Sequence, residues 1–254
     1  MADSETTPNA GKKGDARGKA PVDLKPVFDD RGAAGQFLAD EIFKRRYSQP
    51  VVHALPRGGV PMAIEVARRL NTPLDLLLVR KIGVPWEPEL AAGAVVDGEQ
   101  PDLVLNDDIV RAAGLTEAEI ASMARTQLTE IERRRAQYLP DRAPISARGR
   151  TAILIDDGVA TGASMEAAIA AIRKRAPLRV VVAVPVASRS AIVTLNGLVD
   201  EVVCLVAPED FGGVGAFYLD FHQLSDSEVI DLLADHASAA AVSHGGAETV
   251  PAKK

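Results

Sequence analysis

Thr151-Ala-Ile-Leu-Ile-Asp-Asp-Gly-Val-Ala-Thr-Gly-Ala-Ser164 is the stretch from which the rest of the chain can be read. Ala152 to Ile155 form an uninterrupted apolar run bounded by turn residues, the pattern of a strand buried on both faces in a parallel sheet. Two carboxylates, Asp156 and Asp157, follow at once. Gly158, Thr161, Gly162 and Ser164 then lead into a helical pattern from Met165 to Arg175. The order is buried strand, acidic pair, small-residue loop, helix N-terminus.

That order suits a phosphorylated sugar. A helix N-terminus offers unpaired N–H groups and partial positive charge to a phosphate. Small residues let the backbone approach closely, and Thr161 and Ser164 add hydroxyl donors. Carboxylates accept hydrogen bonds from a vicinal diol and can hold a metal, directly or through water. A diol site beside a single-phosphate site describes ribose 5-phosphate. The loop lacks the Lys-Ser or Lys-Thr of a Walker loop and the Gly-x-Gly-x-x-Gly of a dinucleotide site.

Outward from this segment the chain repeats strand, loop and helix. Val51 to Leu55 read as a strand, Pro56-Arg57-Gly58-Gly59 as a turn, and Pro61 to Leu70 as a helix. An Arg beside two glycines at a helix entrance is a second anion site. His53 reads as a core histidine. Pro73 to Gly83 read as one strand carrying Arg80 and Lys81, Val84 to Leu90 as a loop around Trp86, and Ala92 to Val96 as a strand. Upstream, Phe28 to Phe43 read as an amphipathic helix capped by Asp29 or Asp30, with Phe37, Leu38, Ile42 and Phe43 on its apolar side and Arg31 structural. Residues 107–139 read as a helical insertion with a capping box at Thr116 and Glu119, and Arg133-Arg134-Arg135 as a solvated face. Arg179 to Val186 and Glu201 to Val206 are further strands. Ser225 to Glu228 cap a last helix, Val229 to His236. Strands alternating with helices give an α/β, doubly wound, mainly parallel sheet, with ligands beyond the carboxyl ends of its strands. Arg57, Lys81, Asp156 and Asp157 all fall at that end.

Composition narrows the class. Across 254 residues the chain is 47% hydrophobic and 25% charged, ordinary for a globular domain. A formal net charge of −6 argues against sequence-independent nucleic-acid binding. The single cysteine, Cys204, excludes an intramolecular disulfide and reads as a buried core residue. No apolar run reaches membrane-spanning length and no secretory pattern opens the chain, so a cytoplasmic protein is expected. Residues 1–25, with Lys12, Lys13, Arg17 and Lys19, and residues 237–254 read as disordered tails around one domain, 26–236.

Ile155-Asp-Asp-Gly-Val-Ala-Thr-Gly-Ala-Ser164 resembles the binding signature of the type I phosphoribosyltransferases. The resemblance spans about residues 27–235 and is most specific at 155–164, with Pro56 to Gly59 in support. It implies the fold of that family, with a small hood at about 207–224. It implies binding of 5-phosphoribosyl 1-diphosphate (PRPP): Asp156 and Asp157 on the ribose hydroxyls, and Gly158, Val159, Ala160, Thr161, Gly162, Ala163 and Ser164 around the 5-phosphate. Arg57, Gly58, Gly59 and Arg80 become the diphosphate group, with a cis peptide at Pro56–Arg57. Lys81 becomes the catalytic cation at the base of a mobile loop. Phe217, Tyr218 and Phe221 are the candidates to stack on a nitrogenous acceptor, such as a nucleobase. Mg²⁺ is implied as cofactor, held mainly by the substrate and through water by Asp156 or Asp157, and a homodimer is an open expectation. The reaction implied is displacement of diphosphate from C1 by a nitrogen nucleophile. The competing class is a non-catalytic regulator sensing PRPP or a nucleotide on the same fold. Arg57, Lys81 and the Pro-rich loop favour the enzyme. A receiver-type signalling domain would need a Lys ending a late strand, which Ala183 to Ala187 does not provide.

Overall fold

The computed structural model describes residues 26–98 and 101–245; the expected tail 1–25 and residues 246–254 of the expected tail 237–254 lie outside the described residues. Helix α1 (Arg31–Phe43) is followed by β1 (Pro50–Ala54), α2 (Gly59–Leu70) and β2 (Leu74–Leu76). Next come β3 (Val79–Val84), β4 (Glu87–Val96), β5 (Asp102–Leu105), α3 (Asp107–Ala112) and α4 (Glu117–Tyr138). The chain closes with β6 (Thr151–Ile155), α5 (Ala163–Lys174), β7 (Arg179–Val186), α6 (Arg189–Asn196), β8 (Glu201–Val206) and α7 (Asp226–Gly245). No helix among the described residues is long and apolar enough to cross a membrane.

Five parallel strands form the main sheet in the order β2-β1-β6-β7-β8. One face packs on α1, α2 and α7 through Leu38, Ile42, Val66, Val229 and Leu233. The other packs on α5 and α6 through Met165, Ile172, Ala191 and Leu195. The sheet grows outward from β1 in one direction and from β6 in the other, so its topological switch point lies between them. His53 is buried, and burial lowers its pKa to about 4, which keeps it a neutral core residue.

Several sequence expectations shift. Residues 73–83 are not one strand. After Leu77 the Leu78 N–H donates to Asp97 Oδ1 at 2.7 Å and the chain enters a separate antiparallel sheet, β3-β4-β5. The expected loop at 84–90 is largely a hairpin turning at Pro85 and Trp86, with Trp86 67% exposed. Pro88 falls where the β3–β4 register shifts, so its missing N–H costs no ladder bond. In α1, Asp30 is the cap, and Phe37 (61% exposed) and Phe43 face outward; small Ala34, Gly35 and Ala39 fill the buried side with Leu38 and Ile42. Cys204 is half-buried, its Sγ donating to the Val206 carbonyl at 3.2 Å. Helix α7 continues past His236 to Gly245.

The capping boxes at Thr116/Glu119 and Ser225/Glu228 are present as read. The arginine run is not uniformly solvated. Arg133 and Arg134 pair with Glu130 at 2.8 and 2.7 Å, but Arg135 turns inward and bridges Asp75 at 2.8 Å and Asp97 at 2.7 Å. It thereby pins α4 to both sheets. Burial pushes the Asp97 carboxyl up to about 6, against the pull of Arg135. Removing one partner of such a buried pair typically costs about 3–5 kcal/mol. Arg135→Ala should lower the unfolding free energy in urea by about that much, and Asp75→Asn with Asp97→Asn in the same background should recover part of it. A wild-type midpoint for Arg135→Ala would show that the network adds nothing to stability.

Candidate functional site

The carboxyl ends of β1 and β6 are tied directly: the Leu55 N–H donates to the Ile155 carbonyl at 2.9 Å. The turn after β1 therefore lies on the acidic segment after β6. A Cβ on Gly58 would overlap the Asp157 carboxylate, and one on Gly59 would overlap the Ile155 carbonyl. The two glycines are there for close approach. The Pro56–Arg57 peptide is cis, at the bond the family resemblance implied.

The loop beyond Asp157 is held at β7. Val159 N–H donates to the Val186 carbonyl at 2.9 Å, Ser188 N–H to the Val159 carbonyl at 2.9 Å, and Ser188 Oγ to the Ala160 carbonyl at 2.7 Å. Gly162 takes φ +93, the left-handed region, and starts α5 without a side-chain cap. The first turn of α5 therefore keeps its N–H groups for a ligand.

A cavity of about 170 Å³ opens here, walled by Asp156, residues 158–165, Val214 and Lys81. Its size suits a phosphate group; a sugar diphosphate would extend from it into the open cleft. Larger cavities lie elsewhere, one of about 550 Å³ beside Arg45 and Arg179 and one of about 580 Å³ beside Arg68 and His236, but neither touches the acidic segment. The chemistry of the walls, not volume, selects the smaller one.

Other expected site residues are placed differently. Asp157 does not wall this cavity; it accepts from Arg31 Nε at 2.9 Å. Arg57 pairs with Asp226 at 3.6 Å. Arg80 donates to Gln127 at 3.1 Å, on the side of β3 that faces α4, and Lys81 alternates to the cavity side. Phe217 and Tyr218 are 3% and 4% exposed, packed on Phe211, Phe28 and Phe221. Phe221 stacks on Tyr218 and carries the Arg31 guanidinium 3.9 Å from its ring centre. Their rings are thus occupied by one another and by Arg31. Arg31 is the residue that sequence reasoning assigned to structure alone. A cation at the first turn of a helix, against the favourable dipole arrangement, was the available signal.

Burial and the neighbouring Asp157 charge raise the Asp156 carboxyl well above the usual carboxylate range. Burial raises Asp157 too, but the charge and hydrogen bond of Arg31 pull it back. Among the described residues no cluster of three or more His, Cys, Asp or Glu could cage a metal. One carboxylate on the wall fits a cation that arrives with phosphate and keeps its water.

The phosphoribosyl transferase domain model matches residues 29–222, and the chain belongs to that family. Two Mycobacterium tuberculosis proteins, from strains CDC 1551 and H37Rv and provisionally named phosphoribosyl transferases, are each 46% identical over 207 residues. The match covers 82% of this chain and 46% of each relative, so the chain spans about half their length. The crystal structure of TT1426 from Thermus thermophilus is 45% identical with a TM-score of 0.72, covering 82% of this chain and 98% of that one.

A raised Asp156 pKa carries a stability prediction. Between the usual carboxylate pKa and the raised one the folded protein binds more protons than the unfolded chain, so stability falls as pH rises through that window. Asp156→Asn removes the term. Its melting temperature should exceed that of wild type at pH 8, by about 2–4 °C per kcal/mol recovered, and should match it at pH 3. Equal melting curves at both pH values would mean the carboxylate is well solvated.

Proposed function

We propose that this protein transfers the 5-phosphoribosyl group of PRPP to a small nitrogenous acceptor, such as a nucleobase, with release of diphosphate. The observation that carries the reading is one cavity wall shared by Lys81, Asp156 and the loop 158–164, which the chain supplies from separate sheets. The uncapped start of α5 and the Thr161 and Ser164 hydroxyls take the 5-phosphate. The acidic pair holds the ribose diol, with Asp156 at the wall. The Arg57–Gly59 turn faces the same strand ends and takes the diphosphate, Arg57 exchanging Asp226 for it.

In the reaction the C1–O bond to diphosphate breaks as the acceptor nitrogen bonds to C1. The nitrogen's proton passes to solvent, and positive charge builds on the sugar in between. The carboxylates favour that charge, and Lys81 meets the negative charge accumulating on the leaving group. Bound with the diphosphate, Mg²⁺ would supply further charge neutralisation, with Asp156 reaching it through water. The chain itself orients the sugar and excludes water. The hood aromatics seal the hood and hold Arg31, so the acceptor would lie against the remaining hood surface near Val214. A cytoplasmic setting and a homodimer belong to this same proposal.

The engagement of Arg57 by Asp226 and of Arg80 by Gln127 favours, as a second reading, a protein that binds PRPP or a nucleotide without turnover. Diphosphate release in a screen of nucleobases and small amines with Mg²⁺ and PRPP separates the two. Tight PRPP binding with no release for any acceptor would favour the sensor.

PRPP with Mg²⁺ at about a hundred times its Kd should stabilise the fold by about 2.7 kcal/mol. Asp156→Asn with Asp157→Asn should abolish that shift; a shift of wild-type size in the double variant would remove the pair from the ligand site. Lys81→Ala should lower kcat by about a hundredfold, as for loss of an oxyanion donor, and leave PRPP affinity far less affected. Unchanged turnover would strike Lys81 from the mechanism.

A further inference from the structure

A second concave site lies at the other end of the main sheet. Helix α2 begins beside the acidic segment and ends at Leu70, shortly before β2 starts at Leu74. β2 runs parallel to β1, so its start marks the amino edge of the sheet, away from Asp156 and the phosphate loop. The cavity of about 580 Å³ sits here, walled by the end of α2, the start of β2, Arg142 after α4, and α7. Its volume suits a small organic molecule. Arg68, Arg142 and His236 stand in the walls, and among the described wall residues there is no carboxylate. The carbonyls that end α2 are already bonded: that of Ala67 accepts from Asn71 and Thr72 N–H, and that of Arg68 from Asn71 N–H. Arg142 is positioned by a neutral partner, one Nη donating to the Leu74 carbonyl at 3.1 Å, and has no ion pair among the described residues. Arg68 gives one Nη to Glu65 at 3.1 Å, outside the cavity, and keeps its other donors. His236 makes no hydrogen bond among the described residues, and of its ring nitrogens only Nδ1 is enclosed. With no acceptor beside Nδ1, the neutral ring carries its proton on Nε2. Burial, and then the charges of Arg68 and Arg142, lower its pKa; no carboxylate counters them.

We propose that this cavity binds a small organic phosphate, its phosphoryl group on Arg68, Arg142 and His236 Nε2–H, and its apolar body along Pro73, Leu74 and Ala237. Two guanidinium groups balance the dianion of a phosphate monoester better than the single charge of a carboxylate, and their forked donors match its oxygens. The apolar walls add affinity that inorganic phosphate cannot use. The site is separate from the one at the carboxyl ends of the strands and does not depend on the PRPP reading.

The test follows the His236 imidazole C–H signal by NMR in the full chain, at about pH 7.5 and about 0.15 M salt so that weak surface attraction is screened. The signal is assigned by its loss in His236→Gln. The probes are phenyl phosphate, inorganic phosphate, benzoate and benzyl alcohol. Phenyl phosphate should shift the signal saturably with a Kd below about 1 mM, at least about tenfold tighter than inorganic phosphate or benzoate. Benzyl alcohol, which has the body without the charge, should leave it in place. Arg68→Gln and Arg142→Gln should each weaken phenyl phosphate about tenfold. Arg142→Lys should recover part of that loss, since it keeps the charge and gives up the fork. Thr161→Val with Ser164→Ala, at the opposite edge of the sheet, should leave the titration unchanged. The proposal is overturned by an absent or unsaturable shift, by an equal response to benzyl alcohol, by benzoate binding as tightly as phenyl phosphate, or by wild-type affinity in both Arg→Gln variants. It is also overturned if the response disappears in Thr161→Val/Ser164→Ala, which would put the anion in the phosphate loop. If Arg142→Gln does not fold, because Arg142 also holds the start of β2, the exposed Arg68 makes the same comparison.

Discussion

The parallel pairing of β1 with β6 is the constraint on which the site depends. It runs from Pro50 opposite Thr151 to Ala54 opposite Ile155, and ends in the Leu55–Ile155 hydrogen bond. Two turns far apart in sequence are delivered to one edge of the sheet in fixed register. A one-residue slip would turn every side chain to the other face and separate Gly58 from Asp157. Because both strands are buried on both faces, the slip would also move each side chain from the core it packs in to the opposite one, so the register is strongly specified.

Charge is the second constraint. Two adjacent carboxylates in a partly buried position repel one another and lose solvation. The fold answers with one internal cation, Arg31, on one of the two. The other keeps the cost of its burial, which under the proposed function is stability exchanged for a poised site. The same logic operates away from the cavity, where Arg135 serves two buried carboxylates at once. There both acids are satisfied and the result is rigid. At the cavity only one is, and the difference marks which cluster is structural.

Much of this was legible because it is written in local order. The run Ala152–Ile155, the pair Asp156-Asp157 and the small loop are contiguous, and the glycines at 58 and 59 are adjacent to their Arg. What was not legible depends on packing. Nothing near Leu77 announces that the chain leaves the main sheet; that follows from an Asp97 carboxylate 19 residues on, which takes the Leu78 N–H. Nor does α1 reveal that small residues and not Phe37 and Phe43 form its buried side, since that depends on how closely α2 approaches: a Cβ on Gly35 would overlap the Met62 backbone. Arg31 was missed because its partner lies 126 residues away.

Magnitudes then separate the cations around the site. The Arg57–Asp226 pair is 3.6 Å long with both side chains about a third exposed, 28% and 32%. Exposed pairs of that kind are worth about 0–1 kcal/mol, so Arg57 can leave Asp226 for a diphosphate at little cost. The Arg31–Asp157 pair is short, its side chains only 10% and 17% exposed, and each has further hydrogen bonds. Breaking a desolvated pair is far more costly. Lys81 has no ion pair among the described residues and sits on a different sheet from the one that carries the phosphate loop. At an effective dielectric constant of about 20, two unit charges 4 Å apart interact by about 4 kcal/mol, and the interaction weakens as they separate. The three cations therefore differ in kind: Arg31 is fixed, Arg57 is loosely held, and the contribution of Lys81 depends on how closely its sheet approaches the phosphate loop.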